Sequence, residues 1–145
     1  MTNDQTIQRA LKILSARIQS TDVLSSPGAV RDYLRLLLTG KEHEVFVCVF
    51  LDAQNHVIAC DEMFRGTLTQ TSVYPREIVK TSLSYNAAAV ILCHNHPSGV
   101  SEPSAADRSL TRALTDALAL VDVRVLDHFI VSAGDGMSFA ERGLL

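Results

Sequence analysis

The sequence predicts a three-layer α/β domain, with a mixed central β-sheet flanked by helices. Three observations carry that expectation. The segments Val45–Leu51 and Ala87–Cys93 are apolar at every position, as in strands covered on both faces. Apolar residues at helical spacing alternate with these strand-like runs along the chain. A chain of 145 residues, 47% hydrophobic, also has enough length to bury about 68–70% of its unfolded surface without disulfide staples.

Taken in order, Ile7, Leu11, Leu14 and Ile18 fall on one face of a first amphipathic helix, in an N-terminal arm covering residues 1–26. Its apolar stripe requires a cover, either the domain itself or a second copy of the chain in a homodimer. The domain proper is read over residues 27–145. Ser26-Pro27 offers an N-cap and a proline at the first helical position. Val30, Tyr33, Leu34, Leu37 and Leu38 make the second helix, ended by Gly40. Val45–Leu51 is a central strand, 52–55 a turn, and His56–Phe64 its hairpin partner. Arg65-Gly66 marks a bend or bulge, and the polar, Thr-rich stretch Thr67–Val73 is ambiguous.

A third helix starts at Pro75 and runs to about Ser84, followed by the buried strand Ala87–Cys93 and a loop over 97–103. The clearest helix is Ser104–Val121, with Ala106, Leu110, Ala113, Leu114, Ala117, Leu118 and Val121 as its apolar stripe. Val123–Val131 is the last long strand, 134–136 a turn, and Ser138–Glu141 a short terminal helix.

Net charge is −3 and the pI about 5.9. That balance gives no support to direct nucleic-acid binding, which ordinarily shows as a basic surplus. The three cysteines, Cys48, Cys60 and Cys93, stand apart in hydrophobic segments and read as buried free thiols of a reducing compartment. The polar N-terminus has no signal-peptide pattern, and no run approaches ~18 apolar residues. The expectation is a soluble cytoplasmic protein with no membrane association.

The chemistry concentrates where the second buried strand ends. His94 and His96 are spaced i, i+2, so in an extended chain they share a face, with Asn95 pointing away. Neutral imidazole is a good zinc ligand, although an H-x-H pair alone is as often two polar residues leaving a strand. Asp107 tips the balance, because it lies along the edge of the buried helix face, where a carboxylate needs a strong partner. Ser104 with Asp107 also resembles a capping box, and capping and metal binding are compatible. Two histidines and one carboxylate leave a fourth tetrahedral position for water. A hydrolase would also need a base, for which Glu42, Glu44 and Glu62 are candidates that spacing alone does not separate. His128 reads either as a group beside the site or as a satisfied sheet histidine. His43 and His56 read as surface residues, and Arg76 with Glu77 as a surface pair.

His94-x-His96, seven residues, then Ser104-x-x-Asp107 resembles the JAMM motif of the JAB/MPN metalloprotease superfamily. The RadC family is a closer likeness still, through His94-Asn95-His96-Pro97-Ser98-Gly99, Tyr74-Pro75-Arg76-Glu77, Arg65-Gly66-Thr67, Leu126-Asp127-His128 and Ser138-Phe139-Ala140-Glu141-Arg142-Gly143. The resemblance covers roughly residues 27 to 145. It implies a cytidine-deaminase-like core and zinc held by His94, His96 and Asp107. It also implies Glu44 as the residue that activates water, and Ser104 as a donor to the tetrahedral intermediate. The implied activity is a zinc-dependent peptidase or isopeptidase acting on a peptide or protein substrate.

Two other readings stand beside it. One is a repair- or recombination-associated factor, as the RadC name suggests. The upstream helix-hairpin-helix region of longer family members has no counterpart in the 26 residues before the match, which resembles the short prophage-type members. The other is a non-catalytic metal-stabilised module, against which the open fourth position speaks. Zinc deaminases are set aside because they require H-x-E and P-C-x-x-C. The letters H-N-H at 94–96 are a coincidence with HNH nucleases, whose three residues are dispersed over a larger unit.

Overall fold

The computed structural model describes residues 1–25, 27–66, 72–134 and 136–145. The expected cap Ser26 and most of the Thr-rich stretch, 67–71, lie outside the described residues. The elements are α1 (Asn3–Ser20), α2 (Pro27–Leu38), β1 (Val45–Leu51), β2 (Val57–Arg65), α3 (Pro75–Ser84), β3 (Ala89–Asn95), α4 (Ala105–Ala119), β4 (Arg124–Val131) and β5 (Met137–Ser138). The sheet order is β2-β1-β3-β4-β5. β1 runs antiparallel to both β2 and β3, β3 is parallel to β4, and β4 is antiparallel to β5, so the sheet is mixed as the sequence predicts.

The all-apolar strands are explained by layers on both faces. Every residue of β1 and of β3 is buried. Alternation then sorts them. Val45, Val47, Val49, Leu51, Ala89, Ile91 and Cys93 pack with Ile18, Val30, Leu34 and Leu38 of α1 and α2. Phe46, Cys48, Phe50, Val90 and Leu92 pack with Ile78, Leu114 and Leu118 of α3 and α4. A side chain such as Leu34, Phe50 or Leu114, buried completely, contributes roughly 1.5–3 kcal/mol. The same parity places His94 on the α4 face of β3 and Asn95 on the α2 face. Cys48 and Cys93 are buried, Cys60 is half-buried and all three are free. Burial pushes the Cys60 thiol up to about 12, so it is a packing residue and not a nucleophile.

Helix starts follow local chemistry. Thr2 caps α1, its hydroxyl accepting the Gln5 amide while Gln5 answers from its side chain to the Thr2 amide. Pro75 occupies the first turn of α3. Among the described residues no helix is long and apolar enough to cross a membrane.

Two expectations are corrected. The terminal segment 138–141 is not a helix. Met137 and Ser138 form the edge strand β5, and residues 139–143 continue as turns. Four residues cannot offset the cost of a helical nucleus, and Asp127 supplies better partners. One Asp127 carboxylate oxygen accepts the Ser138 hydroxyl at 2.6 Å, and the other accepts the Ala140 amide at 3.0 Å. On α4 the buried row is Thr111, Leu114 and Leu118, with Asp107 half-buried one turn earlier, whereas Ala106 and Ala113 are exposed. The stripe is rotated toward polar Thr111 because a buried partner on β4 satisfies that hydroxyl.

Candidate metal centre

His94 is the penultimate residue of β3, and His96 lies one residue beyond the strand, where its amide still donates to Val131 O at 2.8 Å. The extended path carries both imidazoles to the α4 face. Asp107 arrives from the first turn of α4. The spacing is set by the capping box: Ser104 Oγ accepts the Asp107 amide at 3.0 Å, and Asp107 Oδ2 accepts the Ser104 amide at 2.8 Å. One carboxylate therefore both caps α4 and faces the two imidazoles.

Asp107 Oδ1 lies 3.3 Å from His94 Nε2, and Oδ2 lies 3.2 Å from His96 Nε2. The two Nε2 atoms are 2.9 Å apart. All three donor atoms fall within 4.8 Å of one another, and among the described residues no fourth His, Cys, Asp or Glu joins the group. Two imidazole nitrogens and one carboxylate oxygen, converging in a half-buried pocket, fit a divalent transition ion such as zinc.

The loop after β3 helps to orient His96. Gly99 adopts φ +89°, a conformation that favours glycine, and its amide donates to His96 O at 3.0 Å. The turn brings Val100 O to within 2.7 Å of His96 Nδ1. A carbonyl only accepts, so Nδ1 carries the proton and Nε2 is left to ligate.

The electrostatics match a cation site. The hydrogen bond that His96 donates to the Asp107 carboxylate holds the His96 pKa above 6.5, opposed by burial and aided by Val100 O, with a smaller upward contribution from the Glu44 carboxylate. Burial alone would raise the Asp107 carboxyl. His94, His96 and the Ser104 amide overcome it and hold the carboxyl far below 3.8.

Of the three candidate bases, Glu44 is the one whose charge reaches His96. It is half-buried at the head of β1, two residues before Phe46, which pairs with His94 in the sheet. Glu42 and Glu62 are both exposed, Glu62 lying 3.6 Å from Arg65. Asn95 points away from the donors, as the spacing predicts, but it is not idle. Its buried amide accepts from Val45 N–H at 2.7 Å and donates to His43 O at 3.0 Å, gripping the backbone on both sides of Glu44.

His128 is a group beside the site. It is fully buried, with Nε2 2.7 Å from His94 Nδ1 and Nδ1 2.6 Å from Thr111 Oγ1. Phe139 stacks on its ring at 4.7 Å, and Phe46 stacks on His94 at 6.0 Å. Thr111 escaped the sequence reading. The signal available for it was its spacing, one helical turn after Asp107. His43 differs from the expected surface residue: its Nε2 is enclosed, with no hydrogen-bond partner among the described residues. His56 is the partly exposed residue expected, 3.6 Å from Asp52, and Arg76 with Glu77 form the expected surface pair at 4.0 Å. A bidentate pair from Arg142 to Glu102, at 2.7 and 2.9 Å, ties the C-terminal turns to the loop between β3 and α4.

A mixed sheet between helical layers, with a His-x-His strand end facing an aspartate on the following helix, defines a domain of the JAB/MPN class. The chain belongs to the RadC-like JAB domain family, whose sequence profile matches residues 24–144. It is 68% identical over 139 residues to a UPF0758 protein of Thiobacillus denitrificans, covering 96% of this chain and 62% of that one. Similar relations hold with UPF0758 proteins of Nitrosospira multiformis, at 63% identity with the same coverage, and Paracidovorax citrulli, at 59% identity over 96% of this chain and 59% of the relative. The chain thus spans about three fifths of the length of these relatives.

Proposed function

We propose that this domain is a zinc-dependent hydrolase of the JAMM type that cleaves a peptide or isopeptide bond. The observation that carries the reading is the convergence of His94 Nε2, His96 Nε2 and an Asp107 carboxylate oxygen. A structural zinc site would ordinarily close with a fourth protein ligand, whereas three ligands are the pattern of catalytic sites. Zinc bound there would supply a Lewis acid and would make hydroxide available near neutral pH.

The chain's own residues supply the rest. Glu44, at the head of β1, is the general base that takes a proton from water and returns it to the leaving amine. Its half-burial and its proximity to His96 suit that role. Ser104 accepts the Asp107 amide through a lone pair, and its hydroxyl proton is available to a developing oxyanion. A cleft of ≈ 500 Å³ reaches His96 and is lined by Thr39, Lys41, Glu42, Asn95 and Pro97 among others. Of the three donor residues it touches His96 alone, so it offers room for an extended segment on the His96 side of the centre.

The test is hydrolysis of a quenched-fluorescence peptide library and of ε-linked Gly-Lys isopeptides by the zinc-loaded full chain. Glu44→Gln is expected to retain zinc and lose about 10²–10⁴-fold in rate. Asp107→Ala is expected to lose both metal and activity. Cleavage at undiminished rate in both variants would overturn the assignment.

A further inference from the structure

The hydrogen bonds around His128 form a closed path from one metal-ligating residue to another. It runs from His94 Nδ1 to His128 Nε2 at 2.7 Å, from His128 Nδ1 to Thr111 Oγ1 at 2.6 Å, and from Thr111 Oγ1 to Asp107 O at 2.8 Å. Every link is short, and both His128 and Thr111 are buried, at 0% and 2% exposure.

Donor counting gives the path a direction. Asp107 O is a carbonyl and can only accept, so the single Thr111 hydroxyl proton is spent on it. Thr111 Oγ1 must then accept from His128, which puts the His128 proton on Nδ1. His128 Nε2 is left bare and accepts from His94 Nδ1–H. His94 in turn has a bare Nε2, the atom that faces His96 and Asp107. In the opposite direction Thr111 would donate to His128, and His128 would donate to His94. A proton would then sit on His94 Nε2, where an ion must bind.

We infer that Thr111 and His128 are positioning residues that preset His94 to ligate through Nε2, and that they couple this tautomer to the first turn of α4, which carries Asp107. Val100 O does the same for His96 from the loop side. Both imidazoles are thereby aimed by protein acceptors before any ion arrives, and such outer partners ordinarily tune metal affinity by about 10–100-fold. Phe139, stacked on His128, fixes the ring plane from the C-terminal segment. That contact gives the buried Ser138-Phe139 pair a role at the site although neither residue faces the ion.

The inference rests on the metal reading of His94, His96 and Asp107, but not on peptidase activity. Its test has two readouts. Long-range ¹H–¹⁵N correlation spectra of the full chain at pH 8, with and without zinc, report which nitrogen of His128 is protonated. The expected result is Nδ1–H in both states. Zinc affinity by competition with a chromophoric chelator is the second readout. Thr111→Val, which keeps the shape and removes the hydroxyl, is expected to weaken zinc about 10–100-fold, and Thr111→Ser to restore affinity to within threefold of the parent chain. Thermal melts of the apo proteins check that both variants fold. A proton on His128 Nε2, or unchanged zinc affinity in a folded Thr111→Val, would overturn the relay. Should the parent chain take up no zinc, the metal reading falls, and the apo spectrum still decides the direction of the path.

Discussion

Asn95 Oδ1 accepts the backbone N–H of Val45 at 2.7 Å, joining the residue between the two histidines to the first residue of β1. Its Nδ2 donates to His43 O at 3.0 Å, so one buried amide holds the chain on either side of Glu44. Asn95→Ala would leave a buried N–H and a carbonyl without partners, which costs about 1–3 kcal/mol for each unsatisfied group. Urea unfolding should show that loss. Because Asn95 is not among the three converging donors, zinc affinity should stay within a few-fold of the parent, while the hydrolysis proposed for this site should fall as Glu44 loses its anchor. Zinc loss as deep as in a His96 variant would contradict this division of labour.

Much of this arrangement is legible in sequence, for a physical reason. His94, His96, Ser104 and Asp107 are close along the chain, and a strand end followed by a capped helix leaves little freedom in how they meet. Parity alone sends Asn95 to the opposite face. The long-range partners are a different matter. His128 reaches His94 only because β4 runs parallel beside β3 with Leu92 opposite His128, a register shifted by an irregularity between Val90 and Ile91. Nothing local to Leu126-Asp127-His128 specifies that offset. Glu44 depends likewise on the pairing of Phe46 with His94. The terminal segment departs from its local helical pattern because its partner, Asp127, lies eleven residues upstream of Ser138 and competes with helix formation through tertiary hydrogen bonds.

Asp107 caps α4 and, in the function proposed above, ligates zinc; substitution can separate the two. Asn at this position keeps a side-chain oxygen to accept the Ser104 amide but removes the anionic ligand. Ala removes both. Asp107→Asn should therefore keep the cap, lose the carboxylate's attraction for the two imidazoles, and bind zinc far more weakly. Asp107→Ala should lose the metal and, in addition, about 1 kcal/mol of stability from the broken cap. Metal content and thermal unfolding of the apo proteins, measured side by side, distinguish the two. Equal melting of the two variants would mean that the capping box contributes nothing.

Protonation gives a second handle on the same group. In the metal-free protein the His96 pKa is raised above 6.5, chiefly by the Asp107 hydrogen bond. The stability this pair contributes is then fully present below pH 6.5 and is lost as pH rises through the raised folded value. Asp107 has the opposite sense: its carboxyl is lowered, so its contribution is present above pH 3.8 and is lost as pH falls toward the depressed value. Zinc must displace the His96 proton, so apparent zinc affinity should fall by up to about tenfold per pH unit below the raised value. Zinc titrations between pH 5.5 and 8.5 should show this fall beginning above pH 6.5, with proton release in weakly buffered solution. A flat profile across that range would exclude His96 as a ligand.

Gly99 connects backbone conformation to the centre. Its φ of +89° is in the region that side chains disfavour, yet among the described residues, its two chain neighbours aside, no atom lies within 4 Å of the place a Cβ would occupy. The cost of Gly99→Ala is thus backbone strain, about 1–3 kcal/mol, without a steric clash. The loop can relieve that strain by turning residue 99 to negative φ, and this moves Val100 O off His96 Nδ1. The released imidazole can place its proton on either nitrogen, so zinc binding should weaken several-fold. Asn tolerates the left-handed region better than Ala, so Gly99→Asn should retain more of both stability and affinity. If Gly99→Ala loses stability and keeps full zinc affinity, the turn serves the fold alone and Val100 O does not orient His96. If affinity tracks the order Gly, Asn, Ala while the ligands are untouched, the turn is part of the metal centre.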